Sequence, residues 1–118
     1  MRIKNIFLLV VLLFVFNDCT NPSSTNDIPD WINNLITEFK SQPVGNPPQS
    51  IWQYNYNNQI VYYVPPQCCD QFSTLYDKYG RVICAPDGGI TGSGDGKCPD
   101  FFEKRTDEKL IWNDERKR

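Results

Sequence analysis

Five cysteines, fourteen acidic side chains and the absence of histidine set the chemistry open to this 118-residue chain. Cys19 stands just after an apolar run from Ile6 to Phe16, which Arg2 and Lys4 precede. A basic start, a short apolar core and a thiol behind it form the layout of an export leader whose cysteine accepts lipid. The other four thiols, Cys68, Cys69, Cys84 and Cys98, are an even set in the exported part of the chain. In an oxidising compartment such a set is expected to form two structural disulfides.

Adjacent Cys68 and Cys69 would close only a strained small ring if joined to each other. Two frameworks are therefore expected: Cys68 with Cys84 and Cys69 with Cys98, or Cys68 with Cys98 and Cys69 with Cys84. A redox couple or thiolate metal site is the sharper alternative. The spacing suits neither, because redox pairs usually read Cys-x-x-Cys and structural zinc ligands usually pair two to four residues apart.

Asp87 and Asp95 lie in the glycine-rich stretch between Cys84 and Cys98 and Asp100 just beyond it, and aspartates spaced by glycines can wrap a hard cation such as calcium. The stretch lacks the regular alternation of acids and a closing bidentate glutamate, so calcium is a weak candidate and no cofactor or metal is expected. Without imidazole, Ser-His-Asp and Cys-His catalysis and His-ligated metals are excluded. Carboxylates alone can support glycoside cleavage, with Asp70, Asp77, Asp87, Asp95 and Asp100 as candidates. That chemistry needs a substrate cleft, for which a domain of about 100 residues has little room. No catalytic residue is assigned, and a non-enzymatic protein is expected.

These residues must be positioned by a small scaffold. The leader's apolar run is shorter than the roughly 20 residues that a membrane-spanning helix needs, so cleavage is expected. Residues 1–18 then read as signal peptide, 19–27 as a polar tether to the lipid, 28–102 as one small domain and 103–118 as a charged tail. The formal net charge is −2. This mild acidity gives no basic surface for nucleic acid.

Within the domain, Ile28, Trp31, Ile32, Leu35, Ile36 and Phe39 recur at helical spacing. Asp27, Pro29 and Asp30 suit the start of that helix and Lys40 its end. After the proline-rich break at 42–49, Ile51 to Tyr56 alternates and Ile60 to Val64 is rich in β-branched and aromatic residues, with Asn57 and Asn58 between them suited to a hairpin turn. Phe72 to Tyr76 and Arg81 to Ala85 form a weaker second pair across Asp77 to Gly80.

The expected class is α+β, with one N-terminal amphipathic helix packed on a short antiparallel sheet of about four strands and a disulfide-held Gly/Asp-rich loop. The tail carries only Leu110, Ile111 and Trp112 as a sizeable apolar group. It reads as a marginal helix or a frayed end. The many aromatic rings, 7 Phe, 6 Tyr and 3 Trp, suit core filling more than an exposed binding platform.

Three motifs, Pro65-Pro66-Gln67-Cys68-Cys69-Asp70, Pro86-Asp87-Gly88-Gly89-Ile90-Thr91-Gly92 and Gly94-Asp95-Gly96-Lys97-Cys98, resemble a family. The chain is similar, over roughly Trp31 to Phe101, to small uncharacterised lipoproteins of Bacteroidota-type bacteria that form a domain of unknown function. The resemblance implies an envelope lipoprotein and carries no activity, ligand or catalytic residue. A local similarity to Kazal-type protease inhibitors at Val82 to Gly88 lacks the six cysteines on which those domains depend.

The functional expectation is a non-enzymatic binding or interaction module of the cell envelope. The lipid on Cys19 would hold it to the membrane, facing the periplasm or the cell surface, and an envelope protein or a glycan would be its partner. A secreted, inhibitor-like domain is the alternative.

Overall fold

A helix, four strands, a short helix and a fifth strand follow one another in the computed structural model, which describes residues 27–68 and 70–118. Helix α1 (Asp30–Lys40) comes first and turns its apolar stripe inward. Its Ile32 is fully buried with Ile51, Tyr62 and Val64, and Trp31, Leu35, Ile36 and Phe39 pack around that group. An 11-residue helix is marginal alone in water, so this packing holds it.

Strands β1 (Ser50–Tyr56) and β2 (Gln59–Val64) pair antiparallel across Asn57 and Asn58, whose φ angles of 51° and 61° are left-handed, as a tight primed turn requires. Strand β3 (Thr74–Asp77) pairs with β2, and β4 (Val82–Cys84) with β3. A short helix α2 (Phe101–Lys104) leads into β5 (Thr106–Asn113), which returns to pair antiparallel with β1. The strand order is β4-β3-β2-β1-β5.

The fold is therefore mostly a five-stranded antiparallel sheet with one 11-residue helix, not an α+β arrangement of a helix on about four strands. The correction lies in the segment read as a frayed tail. With eight residues β5 is the longest strand, yet it lies at a sheet edge and most of its residues are exposed. Edge strands carry charge, which blocks unwanted pairing and also erases the apolar alternation that marks a strand in sequence.

Residues beyond β5 are tied back as well. The Asp114 amide donates to the Gln49 carbonyl at 2.8 Å, and the Asp114 carboxylate binds the Arg116 guanidinium at 2.7 Å. Arg116 in turn donates to the carbonyls of Lys40 and Gln42, each at 3.0 Å. A cation thus satisfies free carbonyls at the C-terminal end of α1, where the helix dipole favours positive charge.

The alternation of β1 and β2 sends side chains to two faces of the sheet. Ile51, Tyr62 and Val64 face α1. On the other face Tyr54, Tyr56, Val61, Tyr63 and Leu75 pack with Phe101 and with both half-cystines of a disulfide.

Candidate functional site

The second face is covered by an irregular segment rather than by a long helix, and its cover begins with a covalent link. Cys84 at the end of β4 is bonded to Cys98, with Cα atoms 6.2 Å apart. This pairing excludes both cross-linked frameworks expected from the sequence. Two thiols fourteen residues apart meet because the chain after β4 folds back on itself, a proximity that spacing alone does not encode. Cys68 is disulfide-bonded too. Cys19 and Cys69 lie outside the described residues.

Inside the loop, backbone bonds replace regular structure. Gly94 donates to the Gly88 carbonyl and Asp95 to the Ala85 carbonyl, each at 3.0 Å. Gly89 donates to Gln71, and Ser73 to Asp87, fastening the loop to the segment that enters β3. Gly89 has φ +76°, and the Phe72 ring occupies the space that a Cβ there would fill. Any other residue would be strained at this position and would also push the ring aside.

Three tyrosine hydroxyls on this face donate to three carboxylates. Tyr63 reaches Asp87 at 2.8 Å, Tyr54 reaches Glu108 at 2.7 Å and Tyr56 reaches Asp100 at 2.5 Å. Burial, reinforced by the bond to Glu108, pushes the Tyr54 hydroxyl up to about 12. Burial and the Asp87 bond raise Tyr63 further still. These phenols stay protonated and act as donors, the role that a ring with a polar tip takes when its body is buried.

Phe101 sits at the centre, with Tyr54, Tyr56 and Tyr63 rings at 5.4 to 5.6 Å. The Arg105 guanidinium lies over both Tyr54 and Phe102, 4.7 and 4.8 Å from the ring centroids. It also donates to the Tyr54 hydroxyl at 3.0 Å. Most aromatic residues on this face are thus core.

The five candidate acids are not brought together. Asp87 is held by Tyr63, while Asp100 is bound by Lys104 and Tyr56. Asp95 accepts from the Lys97 amide. Asp77 folds onto its own turn, accepting from the amides of Tyr79 and Arg81 and from the Arg81 side chain. Asp70 is exposed. The weak calcium set of Asp87, Asp95 and Asp100 is dispersed in the same way, and no group of three metal-ligating side chains occurs among the described residues.

What the loop presents outward is apolar. Ile90 is 90 % exposed, and Phe72, whose ring lies against the neighbouring Gly89, is 56 % exposed. Sequence reading missed this pair, because an isoleucine among glycines and a phenylalanine at the start of an expected strand look like ordinary core residues. Phe72 leads into β3 and Ile90 follows β4, so the pair lies at the end of the sheet opposite the β3–β4 turn.

The model of a domain of unknown function, DUF6970, matches residues 37–114. The chain belongs to this family. The matched region takes in β5, which joins the last strand to the same unit as the hairpin and the cross-linked loop. No curated protein and no solved structure matches the chain.

Proposed function

We propose that this DUF6970 protein is an exported, lipid-anchored, non-enzymatic interaction module whose cross-linked loop offers Ile90 and Phe72 to a protein of the cell envelope. The observation that carries this reading is an almost fully exposed isoleucine on a loop immobilised by the Cys84–Cys98 bridge and by backbone bonds. A fixed loop loses little conformational entropy on binding, and an apolar tip gains from leaving water. Disulfides persist in oxidising compartments, which supports export. No helix among the described residues is long and apolar enough to cross a membrane; on this reading a lipid on Cys19 supplies the attachment.

A photoreactive side chain placed at position 90 of the full-length protein in cells tests this directly. One discrete adduct is expected at position 90 and none at position 117. Equal, diffuse labelling at both positions would overturn the reading.

The exposed apex of a disulfide-closed loop also favours a second reading, in which Ile90 enters a protease cleft as an inhibitor. A panel of proteases left fully active by excess protein would remove it.

A further inference from the structure

The opposite end of the sheet carries a different surface. At the β3–β4 turn Tyr79 is 64 % exposed, Ile60 next to the β1–β2 turn is 45 % exposed and Val82 is 66 % exposed. Cations flank the ring: Lys78 Nζ and Arg81 Cζ lie 5.0 and 5.1 Å from the Tyr79 centroid. Asn58, Ile60, Lys78, Tyr79 and Arg81 line one shallow groove here. Asp27, Ile28, Ile60 and Lys109 line a second one.

Ile60 therefore belongs to both grooves, and Asp27, the first described residue, enters the fold beside it. The start of α1 is pinned to the same turn. The Trp31 indole donates to the Lys78 carbonyl at 3.0 Å, and its ring fills the space a Cβ on Gly80 would need. Gly80 has φ +85°, so the turn is held in one shape against the helix.

We infer that this end of the sheet, built from Ile60, Tyr79 and Val82 with Lys78 and Arg81, is a membrane-contact face that lies on the surface of an anionic bilayer. The inference rests on the reading that Cys19 is lipidated. Only the seven residues Thr20 to Asn26 separate Cys19 from Asp27. At about 3.5 Å per residue the chain from Cys19 to Asp27 spans no more than roughly 28 Å even when fully extended, so the end of the domain where Asp27 enters stays near the lipid.

The composition of the face fits that place. Tyrosine beside lysine and arginine is the pattern of the membrane interface, where a ring sits among headgroups and cations meet phosphates. The chain is acidic as a whole, yet here Lys78, Arg81 and Lys109 face two carboxylates, Asp27 and Asp77. Asp77 accepts from the turn amides and from Arg81 Nε at 2.8 Å, while the rest of the Arg81 side chain stays exposed. With this end on the bilayer, Ile90 and Phe72 point away from the membrane.

The full-length lipoprotein, reconstituted in vesicles of phosphatidylcholine with phosphatidylglycerol, tests the inference by amine acylation, with the lipid on Cys19 verified by mass. Lys78 is expected to react about fivefold more slowly than Lys117, the factor that about 1 kcal/mol of surface attraction per ammonium produces. The protection should disappear in Tyr79→Ser and in Val82→Ser, both exposed positions whose replacement leaves the core intact. Equal rates at Lys78 and Lys117 with the lipid present would overturn the inference while leaving the anchor reading standing. A Cys19 without lipid in isolated envelopes would overturn both. Protection in envelopes but not on protein-free vesicles would also overturn the bilayer and assign the face to a protein.

Discussion

The two faces of the sheet are covered by different means. On one face, α1 lays down Ile32, Leu35, Ile36 and Phe39, and regular spacing does most of the work. On the other, the segment from Ala85 to Asp100 supplies glycines and aspartates, so Phe101 alone plugs the centre and the rest is held by polar bonds and a disulfide. The difference shows what an irregular cover needs. A chain that cannot bury much apolar area must be fastened by specific links, and the links leave its apex free to carry an exposed side chain.

The largest loss is expected from Phe101→Ala. It removes the ring that three tyrosines surround and is expected to cost about 4 kcal/mol, read by denaturant unfolding. A loss below about 1 kcal/mol would mean that Phe101 is not the plug.

Replacing Cys84 and Cys98 together by serine should cost about 3 kcal/mol, the value for a cross-linked loop of this length. Amide hydrogen exchange should rise at Gly88 to Asp95 and stay unchanged in α1. Equal acceleration in both regions would show that the two faces are not fastened independently.

Tyr63→Phe strips the hydroxyl bound to Asp87 and should cost about 1 to 2 kcal/mol in the same assay. Arg116→Ala, which frees the carbonyls of Lys40 and Gln42, should lower Tm by less and raise exchange only in the last turn of α1 and the residues just after it.

The smallest effects are those of pH, and they have opposite signs at the two extremes. The Lys104 and Tyr56 bonds lower Asp100, and the Arg116 bond lowers Asp114. Their contribution is present above the ordinary carboxylate pKa and is lost as pH falls through the depressed folded values. Tyr54 is raised to about 12, so its contribution is complete below pH 10 and fades as pH rises from 10 to about 12. Thermal unfolding against pH should show a plateau bounded by these two declines. In Tyr54→Phe the alkaline decline should weaken.

Much of the scaffold could be read from local pattern. The stripe from Ile28 to Phe39 announced a helix, and Asn57-Asn58 between two β-rich runs announced a hairpin, because each signal is complete within about ten residues. The last strand left no such mark. Thr106 to Asn113 owes its state to a partner more than fifty residues earlier in the chain, and its charges suit an edge. The Cys84–Cys98 pairing is hidden from the sequence because it would leave Cys68 only its neighbour Cys69, and the loop path that brings Cys84 to Cys98 has no local signature.

Composition and periodicity alone determined that histidine chemistry is absent, that one helix carries an apolar stripe and that a tight turn sits at Asn57-Asn58, since these depend on residue type and near neighbours. Folding in three dimensions makes β5 complete the sheet, brings Cys84 to Cys98 and leaves Ile90 and Tyr79 exposed at opposite ends. Such features arise from contacts between distant segments, whose geometry no local pattern carries.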